Sequence, residues 1–69
     1  MDTKTLEVAA QCFQKHPRLS LRNISCHSVD GVLVLQGSVS TYHLKQLAQE
    51  AVAKLDGVEE IENQIHVLG

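Results

Sequence analysis

Apolar and polar positions change period along the chain, and each change marks an element. Leu6, Ala9, Ala10 and Phe13 fall at i, i+3, i+4 and i+7, so they share one helical face and predict a first helix over about Thr3 to Lys15. Asp2 or Thr3 can cap its start by accepting from free backbone N–H groups. Pro17 ends it, because the residue before a proline, His16, is pushed out of the α region. Asp30-Gly31 then separates two strand-like runs and suits the positive φ angles of a two-residue hairpin turn. That turn sets Val29 opposite Val32, Ser28 opposite Leu33, Cys26 opposite Leu35 and Ile24 opposite Gly37. Gly37 in mid-strand leaves two readings open, a bulge or a close approach of a helix to the sheet. A second stripe of Leu44, Leu47, Ala48, Ala51 and Leu55, with Val52 at its edge, predicts a helix over about Thr41 to Leu55. Ser40 or Thr41 can cap it, and Asp56-Gly57 stops it, with Gly57 as the left-handed residue after the helix. A last strand over about Glu60 to Val67 points Ile61, Asn63, Ile65 and Val67 inward and Glu62, Gln64 and His66 outward.

The order helix, strand, strand, helix, strand gives an α+β two-layer sandwich with a three-stranded mixed sheet. A right-handed crossover puts both helices on one face and leaves the other open. Length agrees: 69 residues make a single domain over 1–69. Surface scaling gives roughly 4,300 Å² folded against about 11,000 Å² unfolded, so about 60% of the surface is buried and the core is thin. Leu, Ile, Val and Phe supply 21 of the 69 residues, too many for a disordered chain. A net charge of −2 provides no basic field, so nucleic acid is not an expected partner. The start, Met1 to Glu7, lacks the layout of a signal peptide. A complete chain is therefore expected in the cytoplasm, and an excised domain in the periplasm or envelope.

Read together, Asp30-Gly31, Leu35-x-Gly37-x-Val39, Ala48 and Ala51, Gly57-Val58 and Asn63-x-Ile65-x-Val67 resemble the BON domain of bacterial osmotic-stress and nodulation proteins. The likeness covers nearly the whole chain. It implies an α-β-β-α-β fold with Gly31, Gly37 and Gly57 in structural roles, and no enzymatic activity of the domain itself. It also implies a binding module: members of the family are mostly periplasmic or membrane-associated, and are thought to bind phospholipid or attach larger proteins to the envelope. A few are cytoplasmic, among them a potassium-binding one, which gives an alternative reading as a cytoplasmic small-ligand or ion-sensing accessory domain. The chain departs from the family pattern in showing no signal-peptide layout at Met1 to Glu7, in having no tryptophan and a negative charge, and in placing Val34 at an outward strand position that is often polar.

The candidate chemistry is sparse. Ser38, Ser40, His43 and Asp30 show no nucleophile–base–orienter spacing, so no catalytic residue is assigned and no enzyme is expected. Cys12 and His16 lie four apart, but a structural zinc needs four converging N/S ligands, so no metal or cofactor is expected. His16 reads instead as a cation at a helix C-terminus, and Cys12 as a packing residue. For a phospholipid surface the best local candidates are Tyr42, His43, Leu44 and Lys45, at the start of the second helix. On the open face, alternation lines up His27, Val29, Val32, Val34, His66 and Leu68. The four apolar residues among them have no helix to cover them, and they are expected to form a patch near the hairpin end. This face is the expected interface, with a partner protein or a second copy of the chain.

Overall fold

The computed structural model describes residues 3–19 and 23–68 of the chain. Its elements run α1 (Thr3–Lys15), β1 (Asn23–Val29), β2 (Val32–Val39), α2 (Tyr42–Ala53), β3 (Glu60–Asn63) and β4 (His66–Val67). The α+β class and the α-β-β-α-β order are therefore as predicted, with one change: the last strand is in two pieces.

The first helix ends at Lys15, one residue before the pre-proline position. Thr3 is already helical, and Asp2 lies outside the described residues. Beyond the helix the chain doubles back. The Leu19 N–H donates to the His16 carbonyl at 3.1 Å, and the Arg18 N–H donates to His16 Nδ1 at 3.1 Å. That bond holds the His16 ring against the chain leaving the helix. The turn drives Leu19 fully into the core.

The hairpin closes as the sequence predicts. Asp30 and Gly31 have φ of 51° and 82°, the left-handed pair that matches the twist of the flanking strands. Val29 pairs with Val32, Cys26 with Leu35 and Ile24 with Gly37. The register runs unbroken through Gly37 on this side, so no bulge residue is inserted. Gly37 instead has a φ of 133°, a region L side chains avoid.

β2 is the central strand, antiparallel to β1 and parallel to β3 and β4. Leu35 pairs with Asn63 and Ser38 with His66, so the register is the same on either side of the break between β3 and β4. Asn63 stands at the break. Its Oδ1 accepts from the Ile65 N–H at 3.1 Å, a donor that points away from β2 because the neighbouring Gln64 N–H points towards it, and its Nδ2 donates to the Lys45 carbonyl of α2 at 3.0 Å and to Gln49 Oε1 at 3.3 Å. Bonds to β2 continue within the gap, from the Gln64 N–H to the Leu35 carbonyl, and beyond β4, from the Leu68 N–H to the Val39 carbonyl.

The Thr41 Oγ1 caps α2 by accepting from the Leu44 N–H at 3.2 Å. The helix stops at Ala53, earlier than predicted, and Gly57 is not its terminating residue. Gly57, with φ 90°, occupies a later turn closed by the Val58 N–H on the Leu55 carbonyl. A Cβ at Gly57 would meet Thr5 Oγ1 at 3.0 Å, so this glycine also admits α1.

Ala9 and Phe13 of α1 and Leu44, Ala48 and Val52 of α2 pack with Leu33, Leu35, Val39 and Ile65 in one cluster. The β2 members alternate, so they share one face, and both helices lie on it. Cys26 is half-buried against this cluster and carries a free thiol, as does Cys12. Burial pushes the Cys26 thiol above its ordinary value of 9.0, because the apolar surroundings disfavour the thiolate. The folded state then binds this proton more tightly than the unfolded state does. Stability from this group is present below the unfolded pKa and is lost as pH rises through the folded one. Urea midpoints should therefore fall between pH 8 and pH 10, and Cys26→Ala should flatten that slope; an unchanged slope would remove Cys26 as its source.

Candidate interaction surface

The second face of the sheet carries the outward residues of all the strands, in rows set by register. Val29, Val32 and Glu60 form one row across β1, β2 and β3, and His27, Val34 and Glu62 form the next. Ser25, Gln36 and Gln64 follow, with Gln64 in the gap between β3 and β4. Among the described residues no helix packs over this face, and Val34 is the one buried residue outside the core cluster.

Val34 differs from the expectation that it would stand exposed: it is only 4% accessible. It sits mid-way along the central strand with His27 and Glu62 as its register neighbours, and side chains on both flanks shield it. Val29 at 47% remains open, and Val32 is half-buried. Leu68 is 67% exposed but does not join this patch. Its N–H bonds Val39, at the far end of β2 from Val32, and those ends are about 23 Å apart at about 3.3 Å per residue. His66, opposite Ser38, is likewise away from the hairpin end. The six expected interface residues thus divide into a hairpin-end group of His27, Val29, Val32 and Val34 and a distant pair, His66 and Leu68.

A shallow concavity of about 460 Å³ lies at the hairpin end, lined by Val29, Val32, Val34 and Ile61 together with Asp30, Glu60 and Glu62. Alternation along the last strand already turns Glu62 to this face; the pairing of β3 with β2 adds Glu60 and sets the two carboxylates beside Val32 and Val34. Glu62 is also hydrogen-bonded. Its Oε2 accepts from Gln64 Nε2 at 2.9 Å, and Gln64 Oε1 accepts from Gln36 Nε2 at 3.1 Å. This ladder crosses the face just beyond the valines.

The head of α2 gives a different picture. Tyr42 is 70% exposed, His43 is exposed and Lys45 is half-buried. Leu44 does not belong with them as a lipid contact. Thr41 fixes the start of the helix, and from there Leu44 and Ala48 turn together into the core. Tyr42 and Lys45 border a polar hollow of about 300 Å³ with Gln46, Gln49, Glu50 and Asn63.

The remaining chemical candidates are dispersed. Asp30 and Ser40 lie at opposite ends of β2, and His43 is on α2. Cys12 faces the core cluster, while His16 is engaged with Arg18. Among the described residues no three His, Cys, Asp or Glu side chains gather as a metal would require. No helix among them is long and apolar enough to cross a membrane.

Comparison with known proteins agrees with this architecture. The pattern of the BON domain matches residues 2–69. No curated protein matches the chain. BON domains are in general non-catalytic binding modules, a family associated with phospholipid and protein binding. With its two helices on one face of a mixed sheet and the family pattern running over residues 2–69, this chain belongs to the BON domain family.

Proposed function

We propose that this chain is a non-enzymatic binding module that engages a protein partner through the hairpin end of its open sheet face. One observation carries the reading. Val29, Val32 and Val34 line a concavity on the side of the sheet that neither helix covers, whereas the other large apolar strand residues pack into the core. Burying Val29 and Val32 against a partner gains about 25 cal/mol per Å² of apolar surface removed from water. Amide shift mapping tests this, with short peptides and anionic vesicles offered in turn to the 15N-labelled chain. Shifts should cluster at Val29, Val32 and Val34 and be weakened by Val29→Ser, which trims apolar area at an exposed position. Shifts confined to Tyr42, His43 and Lys45 would overturn it.

A second reading, attachment to a phospholipid surface, is favoured by the exposed Tyr42 beside Lys45 and by the family's association with phospholipid. An aromatic ring next to a cation suits a headgroup boundary. Binding of this kind would be strongest at low salt and would fall with Tyr42→Ala, with the valines unaffected.

A further inference from the structure

We propose that the partner at the hairpin end is a protein segment presenting an apolar side chain flanked by Lys or Arg. The inference rests on the open-face reading above and adds the chemistry of the occupant. The apolar lining is accompanied by three charged residues, Asp30, Glu60 and Glu62, that all carry the same sign. Among the described residues no lysine or arginine lines the site. Glu60 and Glu62 alternate along β3 at about 7 Å, twice the strand rise, and stand one strand spacing, about 4.8 Å, from Val32 and Val34. A segment seated on the valines therefore passes beside a row of carboxylates. Gln64 and Gln36 continue the polar edge of this face from Glu62, through exposed side-chain hydrogen bonds.

The same charges weigh against the other occupants. Two copies meeting through this patch about a twofold axis would bring both sets of carboxylates together, and like charges opposed across an interface cost affinity. An anionic membrane meets the same repulsion. A basic segment is attracted, and the attraction is screened by salt.

The experiment titrates the 15N-labelled chain with a blocked peptide of alternating Lys and Leu and with its Glu-for-Lys counterpart. Phosphatidylglycerol vesicles form a third arm, and a dilution series of the chain alone a fourth. The basic peptide should move the amides of Val29 to Val34 and Glu60 to Glu62, and the acidic peptide should bind at least about tenfold more weakly. Raising the salt should narrow that gap. Asp30→Asn combined with Glu60→Lys should weaken the basic peptide by at least about tenfold. Asn tolerates the left-handed φ at position 30 and Glu60 is exposed, so spectral dispersion should be retained. Asp30→Asn alone gives the same direction with the least change to the turn.

Equal binding of both peptides at this face would overturn the charge inference while leaving the open-face reading standing. Peptide shifts confined to Tyr42 to Lys45 would overturn both. Self-association at the valines on concentration, or vesicle binding there without peptide binding, would overturn the basic segment as the occupant.

Discussion

Leu35→Ala is expected to leave the domain largely unfolded at 25 °C. Leu35 is fully buried on the central strand, paired with Cys26 on one side and Asn63 on the other, and it lies in the cluster that both helices share. Deleting a buried leucine to alanine removes its transfer free energy and leaves a cavity, together about 2–5 kcal/mol. A core of this size supplies about 3–5 kcal/mol in all, so the loss is comparable to the whole stability. Circular dichroism and amide dispersion should collapse, or the urea midpoint should fall sharply with an unchanged slope. Val29→Ala, at an exposed position on the opposite face, is the control and should change stability by no more than about 0.5 kcal/mol. A Leu35→Ala variant as stable as that control would mean that β2 is not the centre of the core.

Asn63→Leu should have the next largest effect, and it should be local before it is global. The side chain satisfies the Ile65 N–H on the side of the strand away from β2, and ties the strand to α2 through the Lys45 carbonyl. Leucine is close in shape but accepts and donates nothing. A part-buried N–H left without a partner costs about 1–3 kcal/mol. Amide exchange at Ile65 should accelerate most, followed by Leu68, whose N–H bonds Val39 beyond the break. Gln49→Ala removes only the exposed contact to Nδ2 and should cost less than about 0.5 kcal/mol. Equal losses in the two variants would show that the Ile65 bond contributes nothing.

These two positions differ in how far the sequence reveals them. Leu35 declares itself by alternation with Leu33 and by its place opposite Cys26 once Asp30-Gly31 sets the turn. Asn63 reads only as a polar residue on an inward face, because its partners are Lys45 and Gln49, far along the chain. Leu19 escaped the periodicity altogether. It follows Pro17, outside any helix or strand, and its burial depends on the turn that folds Arg18 and Leu19 back over His16.

The same boundary runs through the candidate surface. Alternation placed Val29, Val32 and Val34 on one face, yet it grouped Leu68 with them and left Val34 exposed. Both errors come from distance across the sheet. Alternation specifies the face of a residue, not its position along a neighbouring strand. The covering of a central-strand side chain by its flanks depends on which strand is central. Leu44 shows the converse. Its spacing with Leu47 and Ala48 already put it in the buried stripe, and helical rotation keeps it there whatever its neighbours at Tyr42 and His43 do.

By itself, then, the sequence determined what local chemistry controls: two amphipathic helices, a left-handed Asp-Gly turn, the hairpin register and the sorting of residues between two faces. Steric limits on φ and the periods of helix and strand act within a few residues, so they can be read along a line. The tertiary structure alone decided that β2 is central, that Asn63 ties the last strand to α2, and that Glu60 and Glu62 stand beside Val32 and Val34. Those facts depend on which backbone groups find partners across the α2 crossover. Such pairing is a property of the packed chain, and no stretch of the sequence contains it.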